Sequence, residues 1–401
     1  MNASESAASP TRSRPGCLVR GATRLGLLFL GLVVALLLGE LFVRAAGLEV
    51  PPRGKSNTSR VGRKVPEAEV PGVRFMLTPG KRQEVVYPGL GDEPDRVVEY
   101  AINAGGFRDH PYERARPEGT FRVVVLGDSF TYGTGVDLDA TYPKVMERRF
   151  AQLEPDCPTQ VLNWGVYAYN TRQEVALLRH RVRDWAPDLV LLCLYVNDAS
   201  GENRGAADGG GGPAVPREPP WELRLLQSLG LTSGIWDESD RKSPAQARTM
   251  ALRRRSRLAD LLAHRAYGYL RGRVTVRGYR EDWQPGSPGL AMVEEALDDA
   301  VELARAEGFR LHATMYPDLN ELSDNYPYRD AHARAEALCA ERGVPFHDLL
   351  PLLIREVEQA GGDEREFHAH AHDKHPNPRC HRLVGEELAR RLLPELCGEV
   401  R

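Results

Sequence analysis

Ser129, Gly165, Asn197 and His375 offer the groups that nucleophilic attack on an ester requires, and they lie far apart in the chain. A serine hydroxyl becomes a good nucleophile when a base takes its proton, and a histidine has a pKa near the working range for that task. A glycine N–H and an asparagine amide can both donate to the oxygen on which negative charge develops. These residue types therefore indicate acyl transfer through a covalent intermediate on Ser129.

Three of these residues follow apolar runs that predict strands. Ser129 comes after Val123-Val124-Val125-Leu126 and Gly127-Asp128, Gly165 ends Val161-Leu162-Asn163-Trp164, and Asn197 comes soon after Leu189–Leu194. The carboxyl ends of parallel strands gather at one edge of a sheet, where open α/β folds bind their ligands. Gly-Asp-Ser by itself is an ordinary turn sequence. The interpretation of Ser129 as a nucleophile therefore depends on the other residues at this edge.

The alternation of strands and helices from Phe121 onwards positions these strand ends. Nearly continuous apolar strands indicate burial on both faces, and hence a parallel sheet between helix layers. We expect an α/β fold, a flavodoxin-like three-layer sandwich with a central parallel sheet of about five strands. The strands are predicted at 121–126, 159–163, 188–195, 309–315 and 344–347, and the helices at 138–153, 171–184, 288–307, 327–342, 349–360 and 378–393.

One N-terminal stretch is long and apolar enough to span a membrane. Leu25–Val43 is about nineteen residues long and has one acid, Glu40, near its end. We interpret it as an uncleaved anchor, because the exit Arg44-Ala45-Ala46-Gly47 is a poor cleavage site; a cleaved signal peptide is the competing interpretation, and a buried core helix is a third. Arginine and lysine flank the stretch on both sides, so charge alone does not decide its orientation.

The chain divides by composition into five predicted parts. We expect an N-terminal tail at 1–24, the transmembrane helix at 25–43, a Pro/Arg-rich tether at 44–71, an extension that packs on the catalytic domain at 72–120, and the catalytic domain at 121–400. An insertion at about 200–285 interrupts that domain. Its glycine-rich part, including 209–212, fits either a lid over the site or a disordered surface segment, whereas Leu258–Leu270 predicts packed helices.

Composition excludes one class of partner. The 401 residues contain 53 basic and 56 acidic side chains, a formal charge of −3, so no global field attracts nucleic acid. The six cysteines show neither Cys-x-x-Cys nor zinc-finger spacing, and Cys380 and Cys397 can pair if the domain is exported. The sequence does not disclose the oligomeric state.

The blocks Gly127-Asp128-Ser129, Gly165, Asn197 and His375 resemble, in this order, the four blocks of the SGNH hydrolases, also called the GDSL lipase/esterase family. The resemblance covers about residues 103–393. Within the family, the chain is similar to a bacterial branch in which a single N-terminal span precedes an Asn-x-x-Gly-Phe-Arg element, here Asn103–Arg108. That resemblance implies a cell-membrane protein with a single span, a cytoplasmic tail at 1–24 and an extracytoplasmic catalytic domain.

The resemblance also implies a role for each block. Ser129 would be the nucleophile, its N–H, the Gly165 N–H and the Asn197 side chain would form the oxyanion hole, and each lost donor would cost about 3 kcal/mol. His375 would be the general base and then the acid. The family's orienting aspartate lies three residues before the histidine, where this chain has His372, whereas Asp373 lies two before. Either Asp373 is a variant third member, or His375 leans on a backbone carbonyl.

One further departure concerns the wall of the site. Tyr195 stands where family members often have glycine, which would narrow that wall.

Several other polar residues have ordinary structural interpretations. His381 is predicted to cap or pack, Asp128 to brace the turn below Ser129, and Asp348 to cap a helix. The alternating histidines 368, 370 and 372 lack a suitably spaced acidic or cysteine partner, so we expect no metal, and no cofactor is expected.

The sequence therefore predicts a membrane-anchored serine esterase that hydrolyses small ester-linked acyl groups, such as acetyl on carbohydrate. The expected partners are a small-molecule or glycan ester and, through the N-terminal helix, the membrane. Two alternatives stay open. The same site can transfer the acyl group to a sugar hydroxyl instead of water, and the fold can also serve a noncatalytic envelope or polysaccharide-assembly protein.

Overall fold

The computed structural model of the chain describes residues 16–48, 61–64, 69–73, 75–87, 94–200, 221–229, 244–370 and 373–396. The helices are α1 Gly16–Ala45, α2 Ser129–Tyr132, α3 Tyr142–Leu153, α4 Thr171–Leu177, α5 Trp221–Ser228, α6 Pro244–Arg255, α7 Arg257–Asp282, α8 Pro288–Glu307, α9 Arg329–Glu341, α10 Leu350–Gln359 and α11 Pro378–Leu392. The strands are β1 Gly62–Lys64, β2 Phe75–Leu77, β3 Arg82–Tyr87, β4 Arg96–Ala101, β5 Phe121–Gly127, β6 Thr159–Gly165, β7 Leu189–Leu194, β8 Arg310–Met315, β9 Phe346–Asp348, β10 His368–His370 and β11 Asp373–Pro376.

A five-stranded parallel sheet is the centre of the fold. Its strand order is β6-β5-β7-β8-β9, with β5 paired to β6 on one side and β7 on the other. All six residues of β7 are buried, which is the reason for its continuous apolar sequence. Each predicted strand is present, and the expected α/β sandwich with a parallel sheet of about five strands is confirmed.

The helices between the strands follow the predicted order, with one clear difference. The helix expected at 171–184 is α-helical only to Leu177, continues as a π-helical turn over Leu178–Val182, and closes with a 3-10 turn that ends at Ala186 in the left-handed conformation. By contrast, α8 has the predicted boundaries, because the Ser287 hydroxyl accepts from the Leu290 N–H and Gly308 ends the helix with a φ of 79°.

The segment before the sheet contains two small antiparallel pairs. β1 pairs with β2, and β3 pairs with β4. Val61 and Val70 are fully buried, so the predicted tether packs on the protein at these two residues, whereas its first residues, 44–48, are exposed. β1 and β2 have three residues each, which is too short to show a strand periodicity, so the sequence pattern did not predict them.

The chain forms two compact units, of which the sheet belongs to the one comprising residues 54–217 and 274–401. The other unit comprises 1–53 and 218–273 and contains α1. Thr23–Ala45 of α1 is long and apolar enough to cross a membrane, although a signal sequence passes the same test. Near its end, Glu40 accepts from the Ser256 hydroxyl at 2.8 Å and the Leu258 N–H at 2.9 Å, and so caps the start of α7.

Two predictions lie outside the described residues. They are the alternatives for the glycine-rich segment at 209–212 and most of the N-terminal tail.

Candidate active site

Ser129 begins a short helix at the carboxyl end of β5. The Asp128 carboxylate accepts from the Phe130 N–H at 2.9 Å and caps α2, which is the bracing role predicted for it. Gly133, with a φ of 80°, ends the helix after one turn. Ser129 is therefore held at a strand-to-helix turn with its side chain partly exposed.

His375 and Asp373 lie on β11, where a spacing of two residues puts both side chains on one face of the strand. The His375 Nε2 atom is 2.9 Å from the Ser129 hydroxyl oxygen. On the other side of the ring, Nδ1 is hydrogen-bonded to the Asp373 carboxylate, which also accepts from the His375 backbone N–H at 3.1 Å. The three predicted catalytic residues thus form one hydrogen-bonded chain. His372, at the family's usual aspartate position, lies outside the described residues.

The surroundings of the imidazole favour its protonated form. Burial lowers the pKa of His375, but the hydrogen bond and charge of Asp373, with the charges of Asp128 and Asp318, together raise the pKa above its ordinary value. Burial raises the pKa of Asp373, and the hydrogen bonds and charge of His375 bring it below its ordinary value. An ionised Asp373 next to a basic His375 is the charge distribution that proton abstraction from a serine needs.

Gly165 does not offer the predicted oxyanion donor. Its N–H donates to the Asn163 side-chain oxygen at 3.0 Å and is therefore occupied. A Cβ at Gly165 would lie 2.2 Å from the Tyr132 nitrogen, so the glycine allows β6 and α2 to pack closely. The prediction for this residue was wrong, because a sequence does not reveal that the Asn163 side chain turns back onto the N–H.

Ala168, three residues later, has the free donor instead. It adopts a left-handed conformation with a φ of 64°, is partly exposed, and its N–H has no hydrogen-bond partner among the described residues. The Ser129 N–H at the start of α2 is free in the same sense. Asn197 lies beside Asp128, and its side chain helps to lower the pKa of that carboxyl, which burial raises to about 6. No sequence pattern marks Ala168, since alanine rarely adopts this conformation.

Arg108 contacts the C-terminal end of α2 and the turn that follows it. This fully buried guanidinium donates to the carbonyls of Tyr132 at 2.8 Å, Gly133 at 2.7 Å and Val136 at 2.7 Å. It lies 4.4 Å from the centre of the Tyr100 ring. The last residue of the Asn-x-x-Gly-Phe-Arg element therefore satisfies the orphan carbonyls of the helix that begins at Ser129.

Aromatic rings fill the space beside the hydrogen-bonded chain. The Phe130 ring lies 4.5 Å from that of Tyr195, 5.0 Å from that of Tyr316 and 5.4 Å from that of His375. The Tyr195 hydroxyl donates to Asp318 at 2.8 Å, which fixes the ring in place. The residue that replaces glycine in this block therefore forms a buried wall.

The comparisons with known proteins identify the family. Residues 125–383 match the model of the GDSL-like Lipase/Acylhydrolase family. The chain belongs to this family. It is a GDSL-like ester-bond hydrolase, and the resemblance that the sequence blocks predicted is confirmed.

Solved structures similar to this GDSL-like hydrolase have low sequence identity to it. They include TesA, which is 16% identical to this chain; the match covers 69% of this chain and 99% of TesA, with a TM-score of 0.37. A two-domain esterase (CEX) active on acetylated mannans has 13% identity, covers 70% of this chain and 50% of its own, and has a TM-score of 0.39. Axe2, an acetylxylan esterase from Geobacillus stearothermophilus, is 14% identical to this chain. The match covers 68% of this chain and 95% of Axe2, with a TM-score of 0.38. No curated protein matches the chain.

Three other histidines of this hydrolase, at 332, 368 and 381, have structural partners. His381 is fully buried and its Nδ1 accepts from the Tyr142 N–H at 3.2 Å, which confirms its predicted packing role. Asp348 caps the start of α10 through the Leu350 N–H at 2.9 Å, as predicted, and also binds His332 at 2.7 Å. His368 donates to the Leu319 carbonyl at 2.9 Å.

The cysteines differ from the pairing that the sequence left open. Cys380 is a free, buried thiol, 3.2 Å from the Tyr316 hydroxyl, so it does not pair with Cys397. Cys157 is disulfide-bonded.

Proposed function

We propose that this GDSL-like hydrolase is a membrane-anchored serine esterase that removes small acyl groups, such as acetyl on carbohydrate, through an acyl-enzyme on Ser129. The observation that carries the proposal is the continuous hydrogen-bonded chain from the Ser129 hydroxyl through His375 to Asp373. A serine, an imidazole and a carboxylate in this order can move one proton away from the nucleophile and return it to the leaving group.

The reaction follows from these contacts. The Ser129 oxygen attacks the ester carbonyl as His375 Nε2 takes the hydroxyl proton, and negative charge develops on the carbonyl oxygen. The Ser129 N–H, the Ala168 N–H and the Asn197 amide donate to that oxygen. As the tetrahedral intermediate collapses, the alcohol leaves with the proton from His375, and the acyl group remains on Ser129. Water then repeats the steps, so that the acid leaves and the serine regains its proton.

The buried aromatic wall supports a small acyl group. The Phe130 ring lies beside His375 and the Tyr195 ring packs on Phe130, and we infer that these buried rings restrict the length of the acyl chain. Because Asp318 accepts from the Tyr195 hydroxyl, moving this ring aside for a larger group would break a partly buried hydrogen bond.

Two features support a site outside the cytoplasm. One is α1, whose apolar part is long enough to act as an anchor. The other is the disulfide of Cys157, since disulfides persist in oxidising compartments. Esters on glycans outside the cytoplasm would be within reach of such a domain, so we include carbohydrate esters in the proposal.

Probe labelling and hydrolysis test the proposal together. The full chain in detergent is incubated with a fluorophosphonate probe, p-nitrophenyl acetate and acetylated xylan oligosaccharides, alongside Ser129→Ala and His375→Ala. We expect labelling of the wild type alone and a loss of at least about 10³-fold in kcat for each variant. Hydrolysis by Ser129→Ala at the wild-type rate would contradict the proposed mechanism through Ser129. Hydrolysis of p-nitrophenyl acetate without acetate release from the oligosaccharides would remove only the carbohydrate substrate.

A further inference from the structure

Three carboxyl groups are buried near one another, on the segments that contain Ser129, Asn197 and the start of α4. Asp128 is 3% exposed, Asp198 1% and Glu174 1%. The charges of Asp198 and then Asp128 act on Glu174. Burial removes the solvation of each ionised carboxylate and the three charges repel one another, so at least one of the groups is neutral.

Hydrogen-bond donors distinguish the three groups. Asp128 accepts from the Phe130 N–H at 2.9 Å, and Asp198 accepts from the Tyr195 N–H at 2.9 Å. Both oxygens of Glu174 lack a hydrogen-bond partner among the described residues, and so does Oδ1 of Asp198. A proton therefore belongs on Glu174, since no donor there stabilises a negative charge, and Asp198 has an unused oxygen to accept it.

The two carboxyl groups belong to the two segments that carry oxyanion donors. Glu174 lies on α4, which follows the loop containing Ala168. Asp198 directly follows Asn197, and Thr171 at the start of α4 lies beside it. A bond between Glu174 and Asp198 would hold the Ala168 loop and the Asn197 segment at a fixed separation.

We propose that Glu174 is a positioning residue of the oxyanion hole: its protonated carboxyl donates to Asp198 and keeps the Ala168 and Asn197 donors in register. The proposal rests on the proposed esterase function. Other ionisable groups facing Glu174 are Tyr169, in the loop before α4, and Cys193, on β7. Burial raises the pKa of both, so neither supplies a charge that would ionise Glu174. Burial and the charges of Asp198 and Asp128 raise the pKa of Glu174 well above its ordinary value.

The test compares Glu174→Gln with Glu174→Ala in the full chain. Glutamine keeps a neutral donor of the same shape, so we expect kcat on p-nitrophenyl acetate within about threefold of wild type, whereas alanine lowers kcat at least about tenfold with little change in KM. Arg172→Gln, an exposed change on the same helix, is the control. Infrared spectra at neutral pH should contain the C=O band of a neutral carboxylic acid in the wild type and lose it in Glu174→Gln.

Two results would overturn the proposal. One is a glutamine variant as impaired as the alanine variant, which would mean that a charged carboxylate is needed. The other is an infrared spectrum unchanged by Glu174→Gln. If Glu174→Ala does not fold, a loss of kcat in Glu174→Gln of about tenfold or more against wild type, or an unchanged spectrum, still overturns the proposal. If the wild type has no Ser129-dependent turnover, the esterase function fails, and the infrared band separately decides where the proton lies.

Discussion

At the scale of single residues, the strand geometry of β11 explains how a two-residue spacing can replace the family's three. Side chains at positions i and i+2 of a strand lie on the same face, so Asp373 reaches the Nδ1 side of His375 directly. The sequence identified both residues but left open a backbone carbonyl as the partner of His375. The hydrogen bond between His375 Nδ1 and the Asp373 carboxylate decides between the two partners.

Asp373→Asn should lower kcat by about 10⁴-fold, because an amide holds the imidazole in the wrong tautomer. The acid limb of kcat/KM should also move to lower pH. In the wild type the pKa of His375 is raised, so the base is lost by protonation at a higher pH than an ordinary histidine; removing the Asp373 charge reverses that shift. Lys374→Gln, whose exposed side chain points to the other face of the strand, is the control in the same pH series. An acid limb that stays in place would contradict the role of Asp373.

Ala168→Gly should stabilise the protein by about 1 kcal/mol, because glycine adopts the left-handed conformation without the Cβ penalty. Ala333→Gly, on the exposed face of α9, should instead destabilise by about 1 kcal/mol. Chemical denaturation of both variants measures the difference. Equal destabilisation by the two changes would mean that Ala168 is not left-handed.

At the scale of elements, the sequence predicted what burial dictates and missed what side-chain contacts decide. The apolar runs predicted β5 and β7 because a strand that is buried on both faces needs apolar side chains at nearly every position. The pattern from 171 to 184 predicted one helix, and it did not contain the π-helical turn that starts at Leu178. The Gly165 error has the same origin, since the Asn163 bond that occupies its N–H is a tertiary contact.

Arg108→Lys and Arg122→Lys separate support of α2 from general stability. Both arginines are fully buried and donate to several carbonyls, so each change should destabilise by about 3 kcal/mol. Arg122 lies at the amino end of β5, away from Ser129, and its variant should keep kcat when assayed well below its melting temperature. Arg108→Lys should lower kcat at the same temperature, because the carbonyls at the end of α2 lose their donors. Equal kcat in both folded variants would show that Arg108 contributes only stability.

At the scale of the whole molecule, the candidate membrane span and the catalytic residues are independent features of the sequence. The family match covers residues 125–383 and so does not include α1. Length and hydropathy alone identify Thr23–Ala45 as a candidate span, and they do not distinguish an anchor from a signal peptide. The mass of the mature protein separates the two.

We expect the intact chain in the membrane fraction after alkaline extraction, with its N-terminus uncleaved and a C-terminal tag open to protease outside spheroplasts. Val34→Arg, at the centre of the span, should weaken insertion by about 3 kcal/mol and release part of the protein. Leu252→Arg, on the exposed surface of α6, introduces the same side chain outside the span and should release none. A mature protein that begins after residue 45 would make the segment a signal peptide, and the esterase would then act without this anchor.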